Sequence, residues 1–288
     1  MVGTSGKTGS LFIVATPIGN LEDFSPRAQQ VLSTADLILA EDTRHSAKLL
    51  RYFGVNTSIE SLHEHNERQK LPRLLQRLQQ GENLALICDA GTPLISDPGY
   101  PLVAAVHEAK VPVLVIPGPN AAVAALSVSG LATDRFVFEG FLPAKAAARC
   151  SRLRALGDET RTLVFYESSH RIVESLSDMA ATWGTDRRAT VARELTKRYE
   201  TVRQDSLGHL LAWVTQDPDQ QRGEFVVLVE GVPVRDKQYI SAEDERVLRC
   251  LLDELPHKQA VTLTSKITGT SKNALYHQSL RDQGRGLP

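Results

Sequence analysis

Positive charge is in no surplus here: 33 Lys and Arg stand against 34 Asp and Glu, leaving 288 residues with a formal charge of -1. Chains that grip phosphates through their overall field carry excess Lys and Arg, so any nucleic-acid contact must be a local patch. Cysteine is scarce as well. Cys88, Cys150 and Cys250 form no CxxC pair, which excludes a disulfide framework and a cysteine-based zinc site and fits a reducing compartment. No stretch approaches the roughly 18 apolar residues of a membrane span. Residues 1–10, rich in Gly, Ser and Thr, contain no apolar core of a secretion signal, so a cytoplasmic location is expected. No internal repeat is evident.

What remains is an ordinary globular composition, 42% hydrophobic and 23% charged, in a chain long enough for two domains. Short β-rich runs at 11–15, 36–41, 84–88 and 113–116 alternate with helical patterns at 26–34, 67–80 and 100–110. Such alternation predicts a parallel sheet covered by helices. A second series, with strands at 136–140, 162–167, 188–194 and 225–229 and a helix at 172–183, predicts a second α/β domain. The join is placed at 129–133, where Gly130 interrupts an apolar run. Three helices follow, at 241–254, 258–268 and 271–283. The turn Gly269-Thr270-Ser271 suggests a helix-turn-helix unit that presents Lys272, Asn273 and His277, with a helical cap or dimer arm as the alternative. The expected domains are therefore 11–128, 129–233 and a helical appendage over 236–288.

Ligands of open α/β sheets sit beyond the carboxyl ends of the strands. Four loops there are rich in special residues: TPIGN (16–20), EDTR (41–44), DAGTPLISDPG (89–99) and PGPNAA (117–122). Their glycines and prolines expose backbone at little steric cost, and their carboxylates favour an uncharged or cationic ligand over a polyphosphate. Two motifs mislead. GTSGKT (3–8) ends like a phosphate loop but lacks the spacing and the preceding strand. His63-Glu64-His65 lacks a third ligand at metal-site spacing, so no metal is expected.

Longer strings carry more. VATPIGNLEDFSPRA, AEDTRHSAKLL, LHEHNE, DAGTPLISDPGYPLV, PGPNAAVAALSVSGL, DRFVFEGFLP, FYESSHRI, ARELTKRYE and GEFVVLVEG run in order from about residue 11 to 231. In these the chain resembles the tetrapyrrole methylase superfamily, and within it the ribosomal RNA small-subunit 2'-O-methyltransferase I branch. The resemblance implies two α/β domains with S-adenosyl-L-methionine bound between them, a homodimer, and methylation of a cytidine 2'-OH in the decoding region of 16S rRNA within the 30S subunit. It further implies that Pro17, Asp89, Gly91, Thr92, Pro93, Ile95, Ser96, Asn120, Ala121, Ala122, Tyr166 and Glu167 meet the cofactor, with Ala192, Glu224 and Phe225 closing over it. The first loop here is not glycine-rich and the turn reads Gly91-Thr92-Pro93, departures that disfavour a tetrapyrrole substrate.

Methyl transfer from a sulfonium is an in-line displacement that depends mainly on alignment. A carboxylate within hydrogen-bond reach can orient the weakly acidic hydroxyl and accept its proton. Glu41 and Asp42, at a strand end, are the candidates, with a salt bridge to Arg44 or a helix cap as the structural alternative; Glu194 is a third. Substrate RNA is expected to meet Arg44, His63, His65, Asn66, His170, Arg171, Arg193, Lys197 and Arg198. The competing readings are a small-molecule methyltransferase and a non-enzymatic RNA-binding factor.

Overall fold

The computed structural model describes residues 8–233 and 238–282, the side chains of 281 and 282 excepted. All of GTSGKT but Thr8, and the expected final helical residue Gln283, lie outside the described residues. The chain divides after Val232 into two compact units.

The first unit opens with a five-stranded sheet: β1 (Leu11–Val14), β2 (Leu37–Ala40), β3 (Ile59–Ser61), β4 (Leu84–Leu86) and β5 (Val113–Ile116), in the order β3-β2-β4-β1-β5. Every pairing is parallel. Its helices are α1 (Pro26–Thr34), α2 (Thr43–Tyr52), α3 (Glu67–Gln79), α4 (Tyr100–Glu108) and α5 (Ala121–Val128). Successive strand residues point to opposite faces. Ile38, Ala40, Ala85 and Ile87 enter one core with Leu32 and Leu50. Leu37, Leu39, Leu84 and Leu86 enter another with Leu74, Leu78 and Leu102. Burial on both faces is why these strands read as unbroken apolar runs.

The second sheet comprises β6 (Phe136–Phe141), β7 (Thr162–Ser168), β8 (Arg188–Arg193), β9 (Thr201–Ser206) and β10 (Glu224–Val229), in the order β6-β7-β10-β8-β9. With it come α6 (Ala146–Ala155), α7 (Ile172–Trp183) and α8 (Leu207–Gln216). Only β6 and β7 pair in parallel; the other pairings are antiparallel. No helix separates β8 from β9, and a short connection can join only antiparallel neighbours.

The join expected at 129–133 falls between α5 and β6. α5 caps the second sheet: Ala122, Ala125 and Leu126 pack with Val164, Ala192, Val226 and Leu228. The Ser129 carbonyl accepts from Thr190 Oγ1 at 2.8 Å and Gln204 Nε2 at 2.7 Å. These contacts tie the two sheets into one unit.

The second unit holds α9 (Ala242–Glu254), α10 (His257–Thr268) and α11 (Lys272–Asp282) around Leu248, Val261 and Leu275. Gly269 ends α10 at φ +76°, a left-handed cap suited to glycine. Buried Asp244 closes a capping box with Ser241 and accepts from Thr270 Oγ1 at 3.1 Å, fixing the turn after α10 against the start of α9. No helix among the described residues is long and apolar enough to cross a membrane.

Candidate active site and cofactor cleft

The four loops meet, 41–44 through the Asp42 amide and the other three more extensively. Thr16 and Gly91 exchange backbone hydrogen bonds at 2.8 and 3.1 Å, and Thr16 Oγ1 donates to the Cys88 carbonyl at 3.1 Å. Thr92 Oγ1 donates to the Pro119 carbonyl at 3.0 Å. Asn120 caps α5 by accepting from the Val123 amide at 3.1 Å. The turn after β4 is tightly wound: Gly91, Leu94 and Ser96 all have positive φ, at +87°, +73° and +72°. The last two bear side chains, so the turn holds strain that its surroundings must enforce.

Between this edge and the second sheet lies a cleft of about 520 Å³. From the first sheet it is lined by Ile18, Asn120, Ala121 and the turn residues Asp89 to Thr92 and Ile95 to Asp97; Phe141, Tyr166 to His170, Ala192, Leu195 and Gly223 to Val226 line the other side. Twelve of the fifteen expected cofactor residues are thus brought together. The other three, Pro17, Pro93 and Ala122, are buried and do not line it. Ala122 supports the wall instead, since its backbone lies within hydrogen-bond reach of Tyr166. Phe141, Ser168, Ser169, Leu195 and Gly223 escaped sequence reasoning. The available signal for Phe141 was Gly140 inside a strand, a mark of a bulge.

The lining holds Asp89, Asp97, Glu167 and Glu224 but neither Lys nor Arg. Glu167, buried, accepts from the Ser168 amide at 2.8 Å and Ser175 Oγ at 2.5 Å and pairs with Arg171 at 2.9 Å. Asp97 is held above the ordinary carboxylate range by burial and by Asp89. Beside it, buried Cys88 has its thiol pushed up by burial and by Asp97, so it is an inert core group.

The two candidate bases differ. Asp42 caps α2 through the Arg44 and His45 amides at 2.8 and 3.4 Å and pairs with the Arg44 guanidinium at 3.1 Å. Those bonds hold its carboxyl near 2. Glu41 is pushed up by partial burial and by Asp97, Asp89, Glu64 and Asp42. Neither lines the cleft, but the Asp42 amide donates to Asp89 Oδ1 at 3.2 Å, which ties this strand end to the lining.

Of the residues expected to meet RNA, only His170 lines the cleft. Arg44 is 90% exposed. His63, His65 and Asn66 cluster at the start of α3, where Asn66 Oδ1 accepts from the His63 amide at 3.0 Å. Arg198 stands over the exposed ring of Tyr199 at 5.5 Å. Arg171 and Arg193 have structural partners: Arg171 donates to the Leu142 carbonyl at 3.0 Å, and buried Arg193 donates to the carbonyls of Arg222 and Tyr199 at 2.6 and 3.1 Å. Lys197 bridges Glu194 and Glu224 at 2.8 and 2.9 Å. That pairing holds Glu194 below its ordinary range and leaves it a poor base. No group of three His, Cys, Asp or Glu among the described residues is placed to hold a metal.

The family model of tetrapyrrole (corrin/porphyrin) methylases matches residues 10–211. The chain belongs to the tetrapyrrole methylase family. A second model, the RsmI C-terminal HTH domain, matches residues 239–283, the helical unit. Ribosomal RNA small subunit methyltransferase I of Pseudomonas aeruginosa is 55% identical over 96% of this chain and 99% of its own. The protein of that name from Escherichia coli O157:H7 is 51% identical over 96% of each. Among solved structures, a diphthine synthase overlays with TM-score 0.58 at 14% identity over 78% of this chain and 91% of its own. A uroporphyrin-III-C-methyltransferase from Thermus thermophilus overlays with TM-score 0.53 at 20% identity over 77% and 94%. These last two share the fold.

As a methylase of this family the chain is an enzyme whose methyl donor is S-adenosylmethionine. The cleft fits such a donor: its volume suits a ligand of that size, and carboxylates without a lining cation suit a sulfonium and an ammonium.

Proposed function

We propose that this cleft methylates the 2'-OH of a cytidine in the decoding region of 16S rRNA, presented within the 30S subunit. The observation that carries this reading is the 55% identity to a ribosomal RNA small subunit methyltransferase I over 96% of the chain, helical unit included. When bound, S-adenosylmethionine supplies a methyl carbon on a positively charged sulfur, which leaves with the bonding pair. The protein's task is then to hold the ribose oxygen in line behind that carbon and to take the hydroxyl proton.

Glu41 is the acceptor in this reading. Glu41 stands at the strand end tied to the lining residue Asp89 and its carboxyl is raised, whereas the Asp42 carboxylate is taken up by the α2 amides and Arg44. Asp89, Gly91, Thr92, Ile95, Ser96, Asn120, Ala121, Tyr166, Glu167, Ala192, Glu224 and Phe225 hold the cofactor. His170 and exposed Arg44 and Arg198 meet RNA, while Lys197, Arg193 and Arg171 hold the cleft's shape.

We further infer a homodimer in the bacterial cytoplasm. In support, the edge strand β5 exposes Leu114 and Val115, and α5 exposes Val123 and Val128, apolar side chains that a second copy can cover.

The test is transfer of labelled methyl from S-adenosylmethionine to 30S subunits lacking the modification, followed by nuclease digestion. Label in 2'-O-methylcytidine is the expected result. Cofactor binding with no label in any rRNA nucleoside would overturn the reading.

A further inference from the structure

β6 does not run evenly along β7. Phe138 lies opposite Val164, Gly140 opposite Phe165 and Phe141 opposite Tyr166, so Glu139 is one residue too many. In a regular strand, residues three apart point to opposite faces; the bulge puts Phe138 and Phe141 on the same one. That face is the one Tyr166 shares. The Tyr166 ring sits between them, edge-on to Phe138 at 4.9 Å and to Phe141 at 5.6 Å. Were the strands paired without the bulge, Glu139 would lie opposite Phe165, Phe141 would lie opposite Glu167, and the ring would turn toward the core around Phe165. Gly140 permits the bulge, with φ +64° and a position where a β-carbon would meet Ser96 Oγ at 3.0 Å.

The consequence is a phenyl ring that lines the cleft and is still 54% exposed. Its backbone is anchored. The carbonyl of the next residue, Leu142, accepts from Arg171, whose other partner is buried Glu167. The same carboxylate holds the Ser168 amide. Phe141 and the segment Ser168-Ser169-His170, all on the lining, are therefore fixed against each other. An apolar face stands beside hydroxyls and an imidazole, the groups that recognise a nucleobase by stacking and by edge hydrogen bonds.

Sequence-specific recognition of RNA draws on nucleotides whose bases are splayed out of the stack, and a base drawn out in this way forfeits its stacking unless the protein replaces it. We propose that Phe141 is the platform on which the extruded pyrimidine base stacks, with Ser168, Ser169 and His170 facing its edge. This rests on the RNA reading above. The bulge is the device that aims the ring.

The experiment compares Phe141→Ala, Phe141→Leu and Phe141→Trp in the full chain. It measures KM for unmodified 30S subunits and, by calorimetry, the affinity for S-adenosylhomocysteine. Base stacking on an aromatic ring sets the scale: Ala and Leu raise the KM roughly tenfold to a hundredfold and leave cofactor affinity unchanged, and Trp restores the KM. An unchanged KM in Phe141→Ala, or full activity in Phe141→Leu, overturns the platform. A parallel loss of S-adenosylhomocysteine affinity places the ring on the cofactor and also overturns it. If the wild-type protein puts no label into 2'-O-methylcytidine, the RNA reading fails first and the platform with it.

Discussion

The aliphatic stem of Lys197 lies across Gly19 so closely that a β-carbon on the glycine would fall 2.4 Å from the lysine Cγ and 2.9 Å from its Cε. The lysine ammonium, beyond that crossing, joins Glu194 to Glu224. Glu194 itself holds φ +51°, and a β-carbon on Gly223 would strike its carboxylate at 2.5 Å. One side chain thus clasps a first-sheet loop to the two strand ends that supply Leu195, Gly223 and Glu224 to the cleft. Gly19→Val is expected to weaken S-adenosylhomocysteine binding about tenfold, because the loop must move. Lys197→Met keeps the stem and loses only ion pairs, one to a Glu224 that is 75% exposed, so its effect is about threefold. Calorimetry on both variants checks the order; a larger loss in Lys197→Met would show that charge, not packing, closes the clasp.

Asp42 separates a helix cap from a base. Asn caps as well as Asp does but accepts no proton. Asp42→Asn should therefore keep methyl transfer and melting temperature, while Asp42→Ala lowers the melting temperature. A large drop in kcat for the Asn variant would make Asp42 the proton acceptor.

Glu41 and Asp97 set the pH dependence. Both carboxyls lie above their ordinary values of 4.5 and 3.8. A proton acceptor must be ionised, so kcat should fall as pH drops through the raised Glu41 value, and Glu41→Gln should cost roughly a hundredfold. The stability effect has the opposite sense. The folded state binds these protons more tightly than the unfolded chain does, so their contribution is present at low pH and is lost as pH rises through the folded values. Glu41→Gln should accordingly melt higher than the wild type at neutral pH and show no such gain at pH 4. Equal melting shifts at both pH values would count against a raised Glu41.

Glu167 is the buried anchor of the second-sheet wall. Glu167→Ala strands Ser175 and removes the partner of Arg171, at a cost of about 2 to 4 kcal/mol in denaturant unfolding. Because Arg171 then loses its hold on Leu142, hydrogen exchange should quicken at Ser168 to Arg171 and at Phe141 together. Exchange confined to one of the two segments would show that they are not coupled.

Much of the fold was legible in local pattern. The strand at Leu37–Ala40 and the helix at Ile172–Trp183 carry apolar runs or periodicity strong enough to read directly. β9, with the sequence TVRQDS, has no residue in the buried class and so gives no apolar signal. α2 was hidden differently: Asp42-Thr43-Arg44 reads as a polar loop until the Asp42 carboxylate is seen bonding the amides behind it. The loops that line the cleft were legible because glycine, proline and carboxylate cluster at strand ends. The basic residues were not, since Arg193 and Lys197 are of the type that meets RNA and only position decides.

By itself the sequence determined the family, the two α/β series, the helical tail and the carboxylate character of the cleft. The family rests on the resemblance of long ordered motifs; the two series and the tail follow from covalent geometry, because side-chain alternation and turn chemistry act within a few residues. Tertiary structure alone decided which charges are free and which are bound, since the partners of Lys197 and Arg193 include Glu224 and Arg222, 27 and 29 residues away. It also decided the face that Phe141 presents. A bulge in β6 is defined only by its register on β7, and that register is set by packing between strands.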